Sequence, residues 1–155
     1  TKQPFNSTNT NVGGWRDSEI RIHINETIYN SLPNDLQNII VSTKVISGHG
    51  STSGETNFET QDKLYLLNAQ EVWNGNSYDT SVGTSKQLDY YKNQGVTASS
   101  YAGAIKQYNG SNSYWWLRSA RYSNTSNFLY VINSGNWTAI SAGYYNGVSP
   151  AFRIA

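Results

Sequence analysis

Isoleucine and leucine recur every fourth residue from Ile20 through Ile24 and Ile28 to Leu32, with mostly polar and charged residues between them. Side chains at that spacing share one face of a helix. The pattern predicts an amphipathic helix over 18–32. Asp17 or Ser18 is the expected cap, and Ser31-Leu32-Pro33 the expected stop, because the residue before proline avoids helical backbone. Asn34 followed by Gln37 reads as a capping-box start, with Leu36, Ile39 and Ile40 forming a short second helix. Val41 to Ile46 reads as a strand, Gly48 to Asp62 as a long polar loop, and Lys63 to Leu67 as a short apolar strand. Asn68 with Glu71 predicts a second capped turn leading to Val72 and Trp73. Asn74 to Gly83 reads as loop, Ser85 to Lys92 as a short helix, and the chain through Gly110 as loop. Residues 1–14, broken by Gly13-Gly14, read as an extended lead-in.

The character changes after Ser113. Tyr114-Trp115-Trp116-Leu117 and Phe128 to Ile132 are β-favouring runs. Ser134-Gly135 is a turn signal, with Trp137 to Ile140 as the return strand of a hairpin. Ala151-Phe152-Arg153-Ile154 reads as a last strand. Helices first and short strands last predict an α+β class. Trp115, Leu117, Phe128, Tyr130, Ile132, Phe152 and Ile154 are expected to alternate into one small, mainly antiparallel sheet flanked by two helices. Neighbours on a strand face opposite ways, so one of Trp115 and Trp116 is expected in the core and the other outside. No repeat or linker divides the chain. One domain over 1–155 is expected, with a helix-containing scaffold part over 1–110 and a strand-rich part over 111–155.

Composition sharpens this picture. Asn, Ser and Thr supply 52 of 155 residues, and charged residues only 14%. Aromatic content of 14% with a net charge of +1 excludes the composition of a disordered chain. It also lacks the basic stripe of a nucleic-acid binder. No apolar run approaches the ~18 residues of a membrane span. Nothing following Thr1 resembles a secretory leader, so a mature form or an excised domain is expected.

The charge has a geography. All ten acidic residues lie between Asp17 and Asp89, and residues 90–155 carry five basic residues and no acid. That second stretch cannot by itself supply a carboxylate pair for acid–base catalysis or the carboxylates of a calcium site. With no cysteine, disulfides, thiolate zinc sites and cysteine nucleophiles are excluded. His23 and His49 lack metal-ligand spacing and read as structural or solvated. No phosphate-binding glycine loop and no Gly-x-Ser-x-Gly occurs. No cofactor, metal or catalytic residue is expected.

The stretch 119–146 is the most informative. Ser, Asn, Tyr and Trp supply 15 of its 28 residues, and Lys, Asp, Glu, Gln and Pro are absent. Tyr and Trp give large contact area at low entropic cost, and Ser and Asn give adaptable hydrogen bonds, as in binding loops. The same composition also suits an ordinary polar β-hairpin.

Tyr114-Trp115-Trp116-Leu117-Arg118-Ser119, followed by Gly147-Val148-Ser149-Pro150-Ala151-Phe152, resembles the paired signature of a bacterial domain family of unknown function, numbered 6273. Its members usually read WWLRSP, an irregular middle, then GVRPAF. The resemblance extends to Gly13-Gly14-Trp15, Tyr29-Asn30-Ser31-Leu32-Pro33 and Asp62-Lys63-Leu64-Tyr65-Leu66-Leu67. Ala120 stands where the family usually has Pro, and Ser149 where it often has Arg. Leu117-Arg118-Ser119-Ala120 with the terminal Phe152-Arg153-Ile154-Ala155 is also similar to the C-terminal half of C-type lectin-like domains. The relevant kind is shared by formylglycine-generating enzymes and the variable proteins of diversity-generating retroelements. The enzyme branch relies on cysteines or a metal, so the chain is not expected to be an enzyme.

The resemblance to variable proteins implies a contact face within 119–146, where Asn-codon rewriting would act. Its candidate members are Arg121, Tyr122, Asn124, Ser126 and Asn127 before the second strand, then Tyr130 and Asn133. Asn136, Tyr144, Tyr145 and Asn146 complete it; Trp137 is scaffold, since a rewritten Asn codon does not yield it. The expected function is a ligand-binding, adhesin-like domain on a bacterial surface, secreted, or on a phage virion. The expected partner is a protein or glycan on a cell surface, without nucleic-acid binding or membrane insertion. A carbohydrate-binding module and a passive structural domain are the alternatives.

Overall fold

A computed structural model of the chain describes residues 1–73, 79, 82 and 86–155. The expected loop over 74–83 lies mostly outside these residues, as does Ser85. The stripe of Ile20, Ile24, Ile28 and Leu32 does face the core: Ile20 and Ile24 are fully buried, and Ile28 and Leu32 pack against the same cluster. The helical run starts as α1 (Glu19–His23), widens into a π-helical turn (Ile24–Ile28) and ends as α2 (Tyr29–Ser31). Ser18 caps it, its Oγ accepting from the Arg21 amide at 3.4 Å. The second helix, α3, spans Asn34–Ile39, but Pro33 stands at its cap and no capping box forms there. Gln37 Nε2 instead donates to the Leu32 carbonyl. Ile40 leaves the helix and belongs to strand β2 (Ile40–Val41).

Strand β1 is Lys2–Pro4, and the expected strand over 41–46 is divided into β2 and β3 (Thr43–Ser47). β3 pairs antiparallel with β4 (Phe58–Asp62), so the end of the expected polar loop is a strand. Phe58, Thr60 and Asp62 are buried while Glu59 and Gln61 are exposed. The alternation is that of a half-buried strand, with two of its three inward residues polar.

Lys63 to Leu67 is not a strand. It is a buried segment with a single bridge, Tyr65 to Ala151. Side chains satisfy much of its backbone. Asn25 Oδ1 accepts from the Lys63 and Leu64 amides, and its Nδ2 donates to the Leu64 carbonyl. Helix α4 (Ala69–Val72) follows with the capping box formed by Asn68 and Glu71. Helix α5 is Asp89–Asn93, and a short 3-10 turn covers Ala102–Ala104. The expected loop before Gly110 contains half of a hairpin, β5 (Lys106–Tyr108) with β6 (Ser111–Ser113).

The main sheet has five strands in the order β1-β10-β7-β8-β9, with β7 Trp115–Ala120, β8 Asn127–Val131, β9 Trp137–Ser141 and β10 Tyr145–Gly147. β8 and β9 form the expected hairpin. Only the β10–β7 pairing is parallel. β7 is buried along its whole length. Trp115 and Trp116 are therefore both core, which corrects the expectation of one exposed ring. The sheet is covered on both faces. Phe5 meets Trp116 edge-on at 5.5 Å and stacks on Phe128 at 3.5 Å. Trp115 Nε1 donates to the Ala104 carbonyl, and Trp116 Nε1 to that of Gln3. The two indole N–H groups thus keep partners away from water.

The C-terminal strand β11 (Arg153–Ile154) lies outside the main sheet and pairs with β2. Phe152 and Ile154 are 42% and 61% exposed, so neither joins the core. No helix among the described residues is long and apolar enough to cross a membrane.

Candidate functional site

The connections at one end of the β8–β9 hairpin are built around a buried amide. Asn11, fully buried, donates from its backbone to Thr125 O at 2.8 Å. Its Nδ2 reaches the carbonyl oxygens of Asn127 at 2.9 Å, Asn124 at 3.1 Å and Arg121 at 3.4 Å. A single side chain therefore gathers the 121–127 connection. The connection also braces itself: Asn124 Oδ1 accepts from the Ser126 and Asn127 amides at 3.1 and 2.9 Å, an Asx-type turn. Ser51 N donates to Asn124 O. Gly50 is required there, since a Cβ would collide with the Asn11 side chain.

The 142–145 connection joins the same end. Ser141 pairs with Asn127, and Ala142 N donates to Ser126 O. Asn9 Oδ1 accepts from Gly143 N at 3.0 Å. From these pinned backbones three rings project into solvent: Tyr122 is 48%, Tyr144 58% and Tyr145 65% exposed. Arg121 is half-buried, and its Nε donates to Ser123 Oγ. Asn124, Ser126 and Asn127 are also half-buried, so their backbones and side chains do structural work alongside any contact they offer.

The structure does not gather all eleven predicted contact residues. Asn133 and Asn136 occupy the β8–β9 turn, at the far end of the five-residue β8, about 17 Å away at ~3.4 Å per residue. Asn136 Oδ1 there accepts from the Trp137 amide. Tyr130 lies mid-strand, paired with Trp116, its ring edge-on to Trp116 at 5.9 Å and to Tyr114 at 6.0 Å. Burial, and then the nearby Tyr114, push its phenol pKa upward. Asn146 is 4% exposed, on β10 between β1 and β7, and drops out of the contact face. Trp137, read as scaffold, is half-buried against the core.

Asn9, Asn11 and Gly50 were not legible as site residues. Their partners lie far along the chain, 110 to 116 residues away for Asn11, and no local pattern marks them. His49 Nδ1 lies 2.7 Å from Gly50 O. Among the described residues no three His, Cys, Asp or Glu side chains gather as a metal site.

An α+β domain carrying a braced, tyrosine-bearing loop end is the class defined by this geometry. A family described as a domain of unknown function, DUF6273, matches residues 1–155, and the chain belongs to it. No curated protein and no solved structure matches the chain.

Proposed function

We propose that the chain is a ligand-binding domain whose contact surface is the loop end carrying Tyr122, Tyr144 and Tyr145. The observation that carries this reading is the pairing of exposed rings with a fixed backbone. The three rings are about half to two-thirds exposed, while Asn11 and Asn9 hold the loops they stand on. Large amphipathic rings on pre-ordered backbone lose little entropy on binding. Neutral Asn and Ser neighbours supply hydrogen bonds, so affinity rests on aromatic packing with little electrostatic steering. The partner is a protein or glycan displayed on a cell surface, and the domain acts on a bacterial surface, in secreted form or on a phage virion.

The α+β class, with a small, mainly antiparallel sheet completed by the N-terminal strand β1, supports a C-type lectin-like fold. The position of the tyrosines between the Trp115-Trp116 and Phe152 anchors supports a retroelement-diversified surface. In that case the exposed Tyr122, Tyr144 and Tyr145 vary, and the bracing residues Asn11 and Gly50 do not. The test is the set of gene loci of close relatives. Variation concentrated at exposed positions of 121–145, with a near-repeat differing at adenines beside a reverse transcriptase gene, is the expected result. Variation spread evenly over the surface removes the contact-face reading. Absence of the near-repeat alone removes diversification and leaves binding standing.

A further inference from the structure

Lys44 on β3, Glu71 on α4, Lys86 and Leu88 ahead of α5, Arg118 on β7 and Arg153 on β11 line a cleft of about 240 Å³. Its charged lining is four cations and one carboxylate, in a chain whose net charge is only +1. Glu71 does not neutralise the rim, because both its oxygens bind Arg118, at 2.7 and 3.1 Å. Lys44 pairs with Glu59, but both side chains are more than half exposed, and such a pair is weak. Lys86 and Arg153 are exposed and have no ion pair among the described residues. Residues 74–78, 80, 81 and 83–85, which border Val82 and Lys86, include no Asp or Glu, so no carboxylate from them offsets the charge.

The floor of the cleft is preorganised. Arg118 is 2% exposed. Its Nε donates to Ile46 O, its Nη1 to Leu66 O and Glu71, and its Nη2 to Glu71. A guanidinium has five N–H donors; the four bonds leave one Nη2 hydrogen without a partner among the described residues. A fixed guanidinium below two unpaired cations is a geometry that recognises oxyanions. We propose that this cleft binds a single oxyanion group, a carboxylate or a sulfate or phosphate ester, on a small polar ligand. The proposal stands on residues outside the tyrosine platform and does not depend on that reading.

The test titrates the whole chain with sodium sulfate, sodium phosphate and sodium glucuronate, each against sodium chloride at matched ionic strength, following backbone amide shifts by NMR. Saturable shifts around Lys86, Arg118 and Arg153 are expected. Response to sulfate and phosphate alone assigns an ester; response to glucuronate alone assigns a carboxylate. The double variant Lys86→Gln with Arg153→Gln changes two exposed side chains and is expected to bind about tenfold more weakly or worse, with an unchanged unfolding midpoint. No saturable shift with any of the three, or unchanged affinity in the double variant, overturns the site.

Discussion

Arg118 lays its two terminal nitrogens on the carboxylate of Glu71, at 2.7 and 3.1 Å, with side chains only 3% and 16% exposed. Residues 90–155 contain no acid, so the buried cation Arg118 is balanced by a residue 47 positions upstream. Arg118 lies where β7 is irregular. β7 shifts register against β8 between Trp116 and Ala120. There Arg118 N donates to Leu67 O, and Ser119 Oγ donates to Asp79 and accepts from the Ala69 amide. Glu71 also accepts from the Asn68 amide at 2.8 Å, so one carboxylate joins the α4 cap to the central strand.

Glu71→Ala leaves that guanidinium buried without its counter-charge. Removing one partner of such a pair costs ~3–5 kcal/mol. Glu71→Gln keeps acceptor oxygen for the Asn68 amide or for one Arg118 nitrogen, and is expected to cost less than Glu71→Ala. The double variant Glu71→Gln with Arg118→Met removes both charges and should be less harmful than the sum of its parts. Urea midpoints at constant slope measure all of these. A loss below about 1 kcal/mol for Glu71→Ala would show that the pair behaves as a surface ion pair.

Asn11 makes a second, separate prediction. In Asn11→Ala three carbonyls, of Arg121, Asn124 and Asn127, lose their shared donor. Each carbonyl keeps one backbone donor, from Asn124, Ser51 and Arg121 respectively, so the loss is that of ordinary hydrogen bonds, ~0.5–1.5 kcal/mol each, and the local loosening should raise amide exchange across 121–127 more than elsewhere. Asn11→Asp is expected to be worse, since it turns a carboxylate toward three carbonyl oxygens. Hydrogen exchange by mass spectrometry reads both. Uniform exchange across the chain in Asn11→Ala would mean that the residue is merely core, without a special hold on the loop.

The helix over 18–32 was legible because its apolar spacing is helical and its buried face is made of isoleucine and leucine. The β8–β9 hairpin was legible from the Ser134-Gly135 turn between two apolar runs. β4 was not, because Thr60 and Asp62 face inward and hide the alternation; Asp62 is held by Trp15 Nε1, Thr60 Oγ1 and Arg21 Nε. Lys63 to Leu67 looked like a strand because it is apolar, but its hydrogen bonds go largely to side chains, which periodicity cannot register. Asn109-Gly110 did carry the signal of a tight hairpin. Both residues have positive φ, 51° and 76°, as a two-residue type I′ turn requires, and the dipeptide outweighs the polar flanks. Of the contact face, the exposed tyrosines were readable as residue types. The β8–β9 turn was not separable from them, because only the folded hairpin puts Asn133 and Asn136 at its other end.

Tyr91 supplies a pH dependence of known sign. It is 4% exposed, and burial, followed by the nearby Tyr90 and Glu71, pushes its phenol from 10.0 up to about 12. The Tyr90 ring lies edge-on at 5.0 Å. Native protein therefore keeps this proton at pH values where the unfolded chain has released it. The stabilisation is fully present below the ordinary phenol pKa and is lost as pH rises through the folded value. A shift of this size corresponds to about 2–3 kcal/mol. Urea unfolding between about pH 9 and about pH 12 should show the wild type losing stability more steeply than Tyr91→Phe. Some slope persists in the variant, because burial also raises Tyr130. Absorbance titration should find one phenol fewer ionising late. Parallel slopes for the two proteins would place the Tyr91 hydroxyl in contact with water, against its burial between α5 and the core.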